Sequence, residues 1–226
     1  MFGRLVLAAV TAGVLAGAAV SVVQQVTTVP LILSAEVYEV AAEAAGHAGH
    51  AAAHAGAGFG FDAARVGLTV LTNLVIGSGY GLLLAAAMLL IGAPVNLRRG
   101  VLWGAGGFVA FTLAPAFGLP PELPGTATAE LAARQAWWLA AALTAAAALL
   151  AAAFARRPAW VIAALAVAAL PHLIGAPHAE PVGSLTPPEL AARFAAVSIG
   201  VAALFWAVLG AACGALMSRL LPDDAR

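Results

Sequence analysis

Apolar residues run along this chain in six long stretches, separated by short clusters of charge, proline and glycine. Residues 5–35, 66–97, 100–121, 135–155, 158–179 and 194–218 contain no Asp, Glu, Lys or Arg. Each stretch is long enough to cross a hydrocarbon core of about 30 Å as an α-helix, which takes roughly 20 residues. Polar and apolar positions do not alternate within them, and Ala, Leu and Gly dominate over β-branched residues, so transmembrane strands fit poorly. The pattern predicts an all-α, polytopic membrane protein: one transmembrane domain over residues 1–226, with about six transmembrane helices near 5–33, 66–92, 100–119, 135–155, 159–177 and 195–219. The first stretch is too long for the apolar part of a secretory signal and continues into QQVTTVPLIL, so it counts as a span.

A recurrence groups the spans in pairs. FDAARVGLTVL at 61–71, ELAARQAWWLA at 130–140 and ELAARFAAVSI at 189–199 each open an even-numbered span with an acid, two alanines and an arginine. Glu130 and Arg134, Glu189 and Arg193, and Asp62 and Arg65 are spaced to share a helix face. Thr186, Pro187 and Glu189 supply a helix start of the T-x-x-E form. The odd-numbered spans each carry a proline near the same end, at Pro30, Pro115 and Pro171. The expectation is three helical hairpins of one design. Gly13 with Gly17, Gly77 with Gly81, and Gly210 with Gly214 offer small faces for close helix contact.

Composition agrees: 63% of the 226 residues are hydrophobic, 9% are charged and mean hydropathy is +1.00, which excludes a soluble domain. Charge adds an orientation. Arg4, Arg98, Arg99, Arg156, Arg157, Arg219 and Arg226 fall on one side, and only Arg65, Arg134 and Arg193 on the other, so both termini are expected in the cytoplasm. Eight acids and three arginines leave the outer side at a formal −5, while seven arginines and two acids leave the inner side at +5. An outer face of that sign concentrates cations. The single Cys213 excludes an intramolecular disulfide framework and a set of thiolate ligands.

Three of the five histidines stand in HAGHAAAH at 47–54, and three glutamates precede them. At about 100° per residue, Glu36, Glu39, Glu43, His47, His50 and His54 fall within an arc of roughly 80° on a helix wheel. A helix leaving the membrane here would carry a rail of carboxylates followed by imidazoles, donors suited to divalent Co, Ni or Zn. The alternative is that Gly46, Gly49, Gly56, Gly58 and Gly60 make a solvated loop without a common face. Residues 36–62 are in either case an extracytoplasmic Glu- and His-bearing segment. PHLIGAPH at 171–178 adds His172 and His178 at the outer end of span 5, and GLPPELPG at 118–125 adds Glu122 as a mouth carboxylate in the second hairpin.

No acid, arginine or lysine lies mid-span, and a proton-coupled pump usually needs a titratable group there. Gln24, Gln25, Thr28 and Asn73 suggest instead a polar cleft lined by neutral dipoles. No G-x-x-x-x-G-K-[ST] loop is present, so ATP hydrolysis by this chain is not expected. Nor is there a G-x-S-x-G elbow or a pair of intramembrane aspartates, so it is not expected to be an enzyme.

The order and wording of several segments resemble a known family. MFGRLVLAAVTAGVLAGAAVSVVQQVTTVPLILSAEVYE, APAFGLPPELPG, LAARQAWW, PHLIGAPH and PPELAARF together resemble the CbtA family of predicted cobalt transporter subunits over nearly the whole chain. The resemblance implies a multi-pass protein of the bacterial inner membrane, involved in cobalt uptake and tied to cobalamin synthesis. It further implies a small partner subunit with one span and a histidine-rich tail. The count of six spans departs from the five usual in that family. The expected function is a membrane component of a divalent-metal uptake system, collecting the ion on the acidic, His-bearing outer face and passing it through the polar cleft. Cobalt is then a substrate and no permanently bound cofactor is expected. The expected partners are the metal ion, the lipid bilayer and the small subunit, with homo-oligomerisation open and no nucleic acid. The alternative is a metal- or partner-binding membrane scaffold that does not itself transport.

Overall fold

The computed structural model of the chain describes residues 2–46, 62–92, 94–124, 126–178 and 186–220, with backbone only over 39–46. Every regular element among them is helical. Helix α1 (Phe2–Val26) is followed by α2 (Thr28–Gly46) after a break at Thr27. Pro30 has no N–H to give the carbonyl one turn back, so the ladder fails just upstream of it. The Thr27 and Thr28 hydroxyls donate to the Val23 and Gln24 carbonyls, at 2.7 and 3.5 Å. Next come α3 (Ala63–Ile91), then α4 (Leu97–Phe108), which runs through a π-helical segment (Val109–Leu113) into α5 (Ala114–Ala116). Pro115 interrupts the ladder again, and the turn before it widens so that the Ala114 N–H reaches Val109 O. Helices α6 (Leu131–Phe154), α7 (Pro158–Ile174) and α8 (Pro188–Ser218) complete the chain.

Four of these helices, α1, α3, α6 and α8, are long and apolar enough to cross a membrane. The apolar parts of α2 (Thr28–Tyr38) and α7 are shorter. Large apolar side chains such as Leu68, Leu90, Ile162 and Leu173 lie on the outside, with Leu90 87% exposed. Such a surface belongs in lipid rather than in water.

Glycine decides which helices meet. Gly13 and Gly17 of α1 lie against the backbone of α3 at Gly77 and Asn73, and a Cβ at any of the three glycines would collide with the facing main chain. The small faces anticipated at Gly13, Gly17, Gly77 and Gly81 are thus one antiparallel seam. Gly210 and Gly214 of α8 find a partner that the sequence did not single out, Gly100 and Gly104 of α4. Helix α1 also packs along α8, while α7 packs chiefly on α6.

The expected third hairpin is therefore not formed: α7 follows α6, and α8 goes to α1 and α4. The reason is the surface each helix offers. In lipid the hydrophobic effect does not bring helices together, so close van der Waals approach decides the partner. The glycine face of α8 allows backbone contact with α4, whereas α7 buries only Pro171 among its residues.

The centre of the molecule is an apolar core of Ala8, Ala9, Ala12 and Ala16 from α1, Leu84, Ala85 and Met88 from α3, and Leu209, Cys213 and Met217 from α8. Cys213 is fully buried there as a small packing residue, its Sγ 3.9 Å from Gly81 O. Helices α3, α6 and α8 begin at one end of the bundle, with Arg65, Arg134 and Arg193. Arg4, Arg98, Arg99 and Arg219 gather at the other end.

Candidate functional site: a polar cavity above an aromatic floor

Beyond the apolar core, toward the ends where α3 and α8 begin, α1, α2, α3 and α8 enclose a cavity of about 930 Å³. Its floor is aromatic. The Tyr80 ring centroid lies 5.0 Å from that of Trp206 and 6.0 Å from that of Phe205, edge to face. The Trp206 indole donates to Thr112 Oγ1 at 3.2 Å, tying α8 to the π segment.

The wall is built from neutral polar groups on the first seam. Gly17 lets α1 approach the backbone of α3 at Asn73, which places the Asn73 side chain between the two helices. Ser21 Oγ donates to Gly17 O at 2.8 Å, so it meets Asn73 as an acceptor, at 3.0 Å from Nδ2. The same Nδ2 donates to Gln24 Oε1 at 2.6 Å. Asn73 thus has both amide hydrogens engaged and its orientation fixed. Thr28, Thr69, Thr72 and Ser198 also line the wall, and the Ser198 hydroxyl is buried with no hydrogen-bond partner.

The mouth carries Glu36, Asp62 and Arg65. Asp62 caps α3 by accepting from the Ala64 and Arg65 amides at 2.9 and 3.3 Å. Arg65 is therefore free to reach across to α2, where its Nη1 lies 2.6 Å from Glu36 Oε1. The second copy of the pattern repeats the arrangement. Glu130 caps α6 through the Ala132 and Ala133 amides, and Arg134 Nη2 lies 2.6 Å from Glu122 Oε2. Those two amides hold the Glu130 carboxyl below its usual range. The spacing suggested acid and arginine paired within one helix. In both cases the acid instead faces the helix start and the arginine pairs with a preceding segment, and an acid placed just before a helix start is the signal for this.

The histidines of span 5 belong to a separate cavity of about 620 Å³, where His172 and His178 share the lining with Phe117 and Trp137. The His172 ring stands edge-on to Trp137 at 5.5 Å, and Trp137 donates its indole N–H to Pro171 O at 2.9 Å. Trp137 is thus interior and anchors α7 on α6. Glu122 lines a third cavity of about 690 Å³ with Arg134, Gln135 and Trp138.

The structure thus brings Gln24, Thr28, Asn73 and Glu36 into one cavity, His172 and His178 into another, and Glu122 into a third. Gln25 is outside the lining of the first cavity, and its Nε2 is buried without a partner. Glu39 and Glu43 lie on the helical backbone of α2, so the carboxylate half of the proposed rail continues as helix as far as Gly46. His47, His50 and His54 lie outside the described residues. Among the described residues no three His, Cys, Asp or Glu side chains come close enough to hold a metal ion. The aromatic floor was not anticipated: Tyr80 is one polar residue within an apolar run, and Phe205 and Trp206 read as ordinary span residues.

Comparisons with known proteins point in one direction. Neither the curated proteins nor the solved structures contained a match to this chain. A family model described as "Probable cobalt transporter subunit (CbtA)" matches residues 2–218. With nearly its whole length matched, this all-helical, lipid-facing chain belongs to the CbtA family of probable cobalt transporter subunits.

Proposed function

We propose that this chain forms the membrane path of a cobalt uptake system, crossing a bacterial inner membrane six times with both termini in the cytoplasm and residues 36–62 outside. The observation that carries this reading is the first cavity, in which carboxylates stand at the mouth and neutral oxygen donors line the wall within a family of transporter subunits. Glu36, Glu39 and Glu43, with His47, His50 and His54 beyond them, collect the ion at the outer face. Gln24, Thr28 and Asn73 receive it. His172, His178 and Glu122 serve neighbouring openings on the same side as secondary collecting points. The chain hydrolyses no ATP and carries out no covalent chemistry. Its partner subunit is small, with one span and a histidine-rich tail.

Passage inward requires the packed alanine faces of α1, α3 and α8 below Tyr80 and Trp206 to part. That apolar plug favours a second reading, in which the chain binds metal or its partner subunit without moving the ion. Purified protein in liposomes separates the two. Transport predicts accumulation of radioactive cobalt inside the vesicles, and a lowered rate at submicromolar cobalt when His47, His50 and His54 are all changed to Ala. Saturable binding with no internal accumulation, with and without the partner subunit, would establish the scaffold. An unchanged rate in the triple variant would remove the histidines from the path.

A further inference from the structure

We infer that the first cavity receives its cation as an intact hydrated ion, recognised through the hydrogens of its coordinated waters and not by direct ligation. The inference rests on the cavity being the ion's path and specifies the form the ion takes there.

The donor set argues first. Carboxylate, imidazole and thiolate are the side chains that compete well with water for divalent first-row ions. The wall offers none of them. At the mouth, Glu36 is paired with Arg65 at 2.6 Å and Asp62 accepts from two backbone amides, so neither carboxylate is free of a partner. Cys213 lies in the apolar core and not in the cavity lining.

The direction of the hydrogen bonds argues second. Thr69 donates its hydroxyl hydrogen to Arg65 O at 2.9 Å, and Thr28 directs its own at Gln24 O at 3.5 Å. Asn73 gives both amide hydrogens to Ser21 and Gln24. What these groups present to the cavity is therefore lone pairs. A hydrated cation is their complement, because its outer surface consists only of water hydrogens, made more acidic by the metal.

Size is compatible. At about 30 Å³ per water, an ion with six waters occupies roughly 200 Å³, well within the cavity of about 930 Å³.

The test uses hexaamminecobalt(III), a cation that does not exchange its six ligands and presents only N–H donors. Equilibrium dialysis of the complex against the purified full-length protein at physiological salt should show saturable binding that cobalt(II) displaces. Asn73→Leu and the nearly isosteric Thr69→Val should each weaken it by about tenfold, the order expected when a hydrogen bond to a charged partner is lost. In proteoliposomes the complex should inhibit cobalt(II) uptake by the unmodified protein. Absence of saturable binding of the complex overturns the inference, whether or not cobalt(II) binds. So does binding that Thr69→Val leaves unchanged in a protein that elutes as a single folded species. Absence of cobalt uptake by the unmodified protein counts against the transport reading alone, because the dialysis result stands without it.

Discussion

Two arginine–glutamate pairs of equal length guard two different cavities. Arg65 and Glu36 meet at 2.6 Å over a wall that includes Gln24, Thr28 and Asn73. Arg134 and Glu122 meet at the same distance over a lining dominated by Phe111, Pro115, Leu119, Leu139 and Trp138. The local sequence is nearly the same in the two cases, with a capping acid followed by two alanines and an arginine. The tertiary setting separates them. Beside the first pair a glycine seam draws α1 onto α3 and traps Asn73 between them. Beside the second, α6 meets the π segment and α5 through larger side chains. A charged mouth is therefore a repeated feature of this chain, and the polar wall behind it is not.

The most severe way to break the contrast is to remove the seam. Gly13→Leu places a side chain against the Gly77 backbone and should destabilise the protein by about 4 kcal/mol or more, as overpacking with no route for relaxation does. Gly79→Ala points into open space and should change stability by less than about 1 kcal/mol, with the higher helix propensity of Ala in its favour. Unfolding in detergent, followed by circular dichroism, measures both; similar midpoints would mean that the seam does not hold the first cavity.

Next in size is the wall. Asn73→Leu removes the amide that joins Ser21 and Gln24 and should lower cobalt uptake about tenfold, the order of one charge-assisted hydrogen bond. Gln135→Leu, the amide at the second mouth, should leave uptake unchanged. Equal losses in the two variants would deny the first cavity its special place.

A smaller effect should come from the mouths themselves. Arg65→Met frees the Glu36 carboxylate and removes a positive charge from the opening, so half-saturating cobalt should fall a few-fold at low ionic strength. The gain should shrink as salt is raised, since these side chains are part-exposed and screened. Arg134→Met should do much less, and a matching gain there would make the two openings equivalent.

The smallest effect concerns pH. Glu130 has its carboxyl held down by the Ala132 and Ala133 amides, so its contribution is present above the unfolded carboxylate range. It is lost as pH falls through the lower folded value. Glu130→Gln should therefore reduce the melting temperature slightly near neutrality and bring mutant and parent together in acid. A difference that widened in acid would contradict the cap.

Much of this was legible along the chain. Uninterrupted apolar runs announced helices in lipid, and Pro30 and Pro115 marked the break before α2 and the widened turn before α5. Gln24, Thr28 and Asn73 stood out because polar residues are scarce in the spans. The pairings of Arg65 and Arg134 were misread because helical spacing reveals neighbours on one helix only, whereas Glu36 and Glu122 come from segments that precede those helices. Nor does spacing along α6 reveal that the Trp137 indole is hydrogen-bonded inside, to Pro171 of α7.

The sequence by itself determined that the chain is helical and lipid-facing, because apolar runs of this length must satisfy their backbone groups internally in a bilayer. It also determined the segregation of charge, which is a count along the chain. The choice of partners was decided only in three dimensions: α8 on α1 and α4 rather than on α7, and one polar cavity apart from the histidine pocket. In lipid, helices associate where their surfaces allow the closest approach. Gly100 and Gly104 acquire that meaning only when Gly210 and Gly214 lie across from them.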